Sequence, residues 1–111
     1  MTDLAKRTIQ NLFYGEIAEA KKNANNYRYC VIYPTPTEQQ VAKVFETEQK
    51  MLDVENGIFT KEIIKESIER INARIDYYNK SVNPNHFESV MFAQDTTEKY
   101  IKVLDELKEM V

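Results

Sequence analysis

The chain has 111 residues, 42% of them apolar and 30% charged, with a formal net charge of −3. That length suits one hydrophobic core, and the composition excludes a disordered tail. The lack of a basic excess argues against a duplex-binding domain, whose affinity comes largely from neutralising phosphates. No apolar run is long enough to cross a bilayer, and the opening MTDLAKRTIQNLF lacks the uninterrupted apolar stretch of a signal peptide. Cys30 is the single cysteine, so no internal disulfide can form. Together these features give the expectation of one cytoplasmic domain spanning residues 1–111, without a membrane partner.

Two Gly and three Pro are few for a fold rich in turns, which favours long helices. The first helix is expected from Thr2 to about Asn25. Thr2 suits the N-cap and Asp3 the positive end of the helix dipole. Ile9, Phe13, Ile17, Ala20 and Ala24 form one stripe, and Gly15 is the natural place for a bend. Tyr27–Tyr33 then reads YRYCVIY, dense in aromatic and β-branched residues and closed by Pro34. That is a strand-like composition, and a lone strand needs a partner for its backbone groups. Phe87–Ala93 is the internal candidate and a second chain the external one.

The second helix has a clear start, with Thr37 as N-cap and Gln40 as the reciprocal member of a capping box. Val41, Val44, Phe45, Met51 and Leu52 give its apolar stripe, interrupted by Glu48, and Asn56-Gly57 ends it. Thr60 caps a third helix. Ile64, Ile68, Ile71, Ile75 and Tyr78 follow on it at alternating spacings of four and three, which is what one helix face needs to meet another helix along its length. The fourth helix is expected after Asn83, with Pro84 at its first position. Val90, Ala93, Thr97, Tyr100, Leu104, Leu107 and Val111 line it at helical spacing. A short connection between two seamed helices predicts an antiparallel hairpin.

The fold expected is therefore mostly α, a bundle of about four helices with a short extended segment at 27–33. The alternative is an α+β chain in the order αβααβα, in which Asp95 caps a late helix and Phe87–Ala93 pairs with Tyr27–Tyr33 in a two-stranded sheet.

Catalytic constellations are sparse. His86 is the only histidine, and Glu88 at i+2 on a helix would not face it. Cys30 sits in the most apolar stretch of the chain, where a free thiol acts as a small buried hydrophobe. Glu62, Glu66, Glu69 and Asp76 share one helix face with Lys65, Arg70 and Arg74, the pattern of a solvated, salt-bridged surface. No cofactor or metal site is expected from these residues. Tyr27, Arg28, Tyr29 and Tyr33 remain as the candidate partner interface, because Tyr and Arg cover apolar area while still donating hydrogen bonds. Core packing of the tyrosines and stacking on single-stranded bases beside Lys21, Lys22 and Arg28 are the competing readings. The functional expectation is a small non-enzymatic binding protein (adaptor, regulator or inhibitor) that docks on another protein, with a homodimer as one arrangement. A nucleic-acid-binding regulator is the alternative, followed by a small enzyme whose site is assembled from distant residues such as Cys30, Glu48 and His86.

Overall fold

The computed structural model describes residues 1–81 and 87–111, the last of these without the side chains of residues 87–89. Five helices follow one another: α1 (Asp3–Leu12), α2 (Tyr14–Tyr29), α3 (Glu38–Glu55), α4 (Lys61–Ser81) and α5 (Phe87–Lys108). The mostly-α expectation holds. Among the described residues there is no strand, and Phe87–Ala93 lies in α5, so the two-stranded alternative is not found. The expected Asn83 cap, Pro84 and His86 fall outside the described residues.

The chain divides into two compact units, residues 1–8 with 60–111 and residues 9–59, with α1 contributing to both. In the second of these, α2 and α3 form a hairpin. Its antiparallel sense follows from two ion pairs, Lys21 with Glu55 and Arg28 with Glu48. Ile17, Ala20 and Ala24 are buried along α2, and the small alanines let a neighbouring backbone come close. α3 starts as its sequence dictates. The Gln40 N–H donates to the Thr37 hydroxyl at 3.2 Å, and the Thr37 N–H donates to the Gln40 side-chain oxygen at 2.9 Å. It ends at Gly57, whose φ of +82° is the left-handed conformation that closes a helix cheaply only for glycine.

The first expected helix is two. The interruption lies at Phe13, with φ −104° and ψ 9°, not at Gly15. Hydrogen bonding nevertheless runs across it, from Phe13 N–H to the Ile9 carbonyl and from Ile17 N–H to the Phe13 carbonyl. Phe13 is among the largest fully buried side chains, so the break falls at a core residue and not at the glycine.

In the other unit, α4 and α5 pair as the expected antiparallel hairpin. The isoleucine seam faces inward: Ile64 and Ile71 are buried, and Ile68, Ile75 and Tyr78 are half-buried. Ser67 lies on the same stripe, fully buried. Its hydroxyl is satisfied by the Ile63 carbonyl at 2.7 Å, the i−4 bond that lets serine sit inside a helix. α5 packs against α4, and its buried apolar residues are Ala93, Val103, Leu104 and Leu107. Towards the far end of the hairpin the packing becomes aromatic. Tyr78 stacks on Tyr100 with centroids 6.3 Å apart and meets Phe92 edge-on at 6.2 Å, while Arg74 donates to the Tyr100 hydroxyl at 3.0 Å.

The caps of this unit are polar. The Thr60 hydroxyl accepts from Ile63 N–H at 3.2 Å and starts α4. The Thr2 hydroxyl accepts from Ala5 N–H at 3.2 Å and starts α1. Thr2 also donates both its backbone N–H and its hydroxyl to the Glu106 carboxylate, each at 2.7 Å. Those two hydrogen bonds hold the Glu106 carboxyl below its ordinary range.

Two stability outcomes follow. Ile71→Ala leaves a cavity at a fully buried point of the seam and is expected to lower unfolding stability by about 2–5 kcal/mol in a urea titration. Gly15→Ala should act in the opposite sense, because an added Cβ there meets no atom within 4 Å and glycine near the start of a helix costs backbone entropy. It is expected to raise stability by roughly 0.5–1 kcal/mol in the same assay.

Candidate docking surface

The segment singled out in the sequence, Tyr27–Tyr33, is not a strand: its first three residues are helical and the rest has no regular structure. α2 continues to Tyr29, and Cys30 ends it with φ −117° and ψ 149°, its N–H donating to the Asn26 backbone carbonyl at 2.9 Å. The reason is a partner distant in sequence. Arg28 reaches α3, where its Nη1 donates to Glu48 Oε2 at 2.7 Å and its Nη2 donates to Oε1. The same guanidinium lies 4.9 Å from the centroid of the Phe45 ring and donates to the Asn25 side chain at 3.3 Å. Phe45 and Glu48 are three residues apart, so one face of α3 offers both an aromatic plane and a bidentate carboxylate. Arg28 at the helical end of α2 meets both, a tertiary gain that opposes the β-propensity of YRY.

The pair is electrostatically consistent. The hydrogen bond from Arg28 holds the Glu48 carboxyl below its ordinary value of 4.5, and the hydrogen bond to Glu48 raises Arg28 in turn. Glu48 had read as an interruption of an apolar stripe. It is in fact buried within that stripe, and Arg28 is what makes its burial tolerable.

The four candidate residues therefore separate. Tyr27 is half-buried and lines a groove of about 290 Å3 between α2 and α3, with Ala20 and Asn23 on its own helix and Lys43, Val44 and Thr47 opposite. Arg28 belongs to the scaffold. Tyr29 is 81% exposed and Tyr33 is 94% exposed, and Val31 between them is 99% exposed. Cys30 is also exposed, which corrects the expectation of a buried thiol, because it lies just past the end of α2 and not inside a strand. The Tyr33–Pro34 peptide bond is cis. Among the described residues, the N–H groups of Val31, Ile32 and Tyr33 make no hydrogen bond within the chain.

The remaining chemistry is thin where it can be described. Among the described residues no three His, Cys, Asp or Glu side chains are placed to hold a metal ion, and no helix is long and apolar enough to cross a membrane. His86 lies outside the described residues. Glu66 is engaged by Arg70 at 2.8 Å, as the spacing on the charged face of α4 implies. Tyr77 and Phe92 are also exposed, at 65% and 63%, but both have aromatic partners in Tyr78. Compared with known protein families, with curated proteins and with solved structures, the chain gives no match.

The Arg28–Glu48 pair has a pH signature. A carboxylate whose pKa is lowered by folding stabilises the native state fully above its unfolded value, and that stabilisation is lost as pH falls through the lowered value. Acid unfolding of the α2–α3 hairpin is therefore expected to steepen below about pH 4.5, the ordinary value for Glu48. Glu48→Gln should flatten that acid limb and lower stability at neutral pH, as read by circular dichroism across a pH series.

Proposed function

We propose that this protein is a small non-enzymatic docking protein whose contact element runs from Tyr29, the last residue of α2, to Tyr33 in the α2–α3 connection. One observation carries the reading: Tyr29, Val31 and Tyr33, three large apolar side chains at alternate positions, are each more than four-fifths exposed. Folding does not need them there. They pack on no core, and a run of bare apolar side chains beside unbonded backbone marks a place where another macromolecule contacts the chain.

The scaffold suits this role. Arg28 and Glu48 hold the end of α2 on α3, while the Thr37–Gln40 capping box fixes where α3 begins. The connection is thus tethered on both sides by charged and capped helix ends. The same contacts weigh against phosphate recognition. Arg28 is engaged by Glu48 and Lys21 by Glu55, so two of the three nearby cations are already neutralised.

The test is affinity capture from the source cell at moderate salt, using the wild-type chain, Tyr29→Ala and Tyr33→Ala. Because both side chains are exposed, the variants should keep the wild-type helical signal. A specific partner is expected with the wild-type chain and its recovery should fall severalfold with either variant. Equal recovery by all three would remove the proposed surface.

A further inference from the structure

The groove between α2 and α3 has a lining that docking by Tyr29–Tyr33 does not use. It lies wholly within the unit of residues 9–59 and holds about 290 Å3, near the lower end of the range for a small-molecule site. Its apolar part is Ala20, which is buried, with Val44 and Tyr27, which are half-buried. Its polar part is exposed, and two members of it are donors without acceptors. Gln40 Oε1 already accepts from the Thr37 N–H at 2.9 Å, which fixes the amide and leaves its Nε2 to donate. Lys43 can only donate, and it makes no ion pair among the described residues, whereas Lys21 and Arg28 of the same hairpin are both matched to carboxylates. Gln40 and Lys43 are three residues apart on α3, so their side chains are neighbours on its surface.

We propose that this groove binds a small aromatic carboxylate, its ring against Ala20, Val44 and Tyr27 and its carboxylate on Lys43 and the Gln40 amide. Charge selects the anion. Among the described residues that line the groove there is no Asp or Glu, and Glu48, next to Thr47 in the chain, is committed to Arg28. Two neighbouring donors, one of them charged, match the two oxygens of a carboxylate. A phosphate would bring more negative charge than one lysine balances. The Tyr27 ring favours an aromatic body, because offset or edge-on ring contacts add to the burial of area. Asn23 and Thr47, also on the lining and without side-chain hydrogen bonds among the described residues, are available to further polar groups of the ligand. The groove and the Tyr29–Tyr33 segment share no residue, so neither reading stands or falls with the other.

The probe is 2-naphthoate, titrated into the isotope-labelled full chain and followed by amide NMR. Saturable shifts are expected, concentrated on residues 20–27 and 40–47. The Kd should lie between about 0.1 and 1 mM, as suits a ligand of this size. The neutral isostere 2-naphthamide has the same shape and should bind at least about threefold more weakly. Lys43→Gln should remove that difference by bringing naphthoate to the affinity of the amide. Lys50→Gln, at an exposed site of α3 outside the groove, should leave naphthoate binding within about 1.5-fold of wild type. Both lysines are exposed, so the helical circular dichroism should be unchanged in either variant. Scattered or non-saturating shifts up to about 5 mM, equal affinity of the wild-type chain for the acid and the amide, or equal loss in the two variants overturns the proposal.

Discussion

Arg28 is the point on which the α2–α3 hairpin turns. Its guanidinium satisfies a carboxylate that would otherwise be buried without a partner, lies over an aromatic ring one helical turn away, and sits one residue before the end of α2. A single side chain thus sets how far α2 extends, aligns it with α3, and keeps Glu48 charged within an apolar stripe. Breaking such a pair from one side is worse than never having it, because the remaining charge stays where water cannot fully reach it. The exposed connection inherits its position from that contact. Tyr29, the residue after the anchor, is exposed.

The two hairpins are built on different terms. α4 and α5 rely on continuous apolar seams, with Ser67 accommodated by a local backbone bond and the far end filled by stacked rings. α2 and α3 have less apolar area to share, since α2 contributes mainly alanines beyond Ile17 and the α3 stripe is only half-buried. Ion pairs and a groove take the place of a thick core there. A hairpin of that kind depends on a few specific contacts instead of on bulk burial.

What could be read from the sequence was what is decided locally. Thr2, Thr37 with Gln40, and Thr60 all cap helices, because a cap depends on a side chain and a backbone N–H three residues on. The isoleucine seam was legible for a similar reason: helical periodicity is a property of consecutive residues. The misreadings lie where distant residues decide. Tyr27-Arg28-Tyr29 has strand-like composition, and nothing within it reveals that Glu48 and Phe45 await the arginine. Glu48 gave a signal that was open to recognition, since an acid at a stripe position implies a cation across from it. Cys30 followed from the same misjudged helix end. The break at Phe13 had no local marker, because glycine nearby offered a more obvious site than a buried aromatic. Of the candidate surface, the alternation of Tyr29 and Tyr33 was visible, but their exposure was not, and neither was the pairing of Arg28 with Glu48.

The hydrogen bonds between Thr2 and Glu106 span nearly the whole chain. One unit is therefore discontinuous, opening with the first residues and resuming only at residue 60, whereas the other occupies a single uninterrupted stretch. During synthesis the α2–α3 hairpin has all its residues long before Thr2 has Glu106 to bind. The Thr2–Glu106 contact closes a loop of 104 residues, so the order of translation favours the contiguous hairpin.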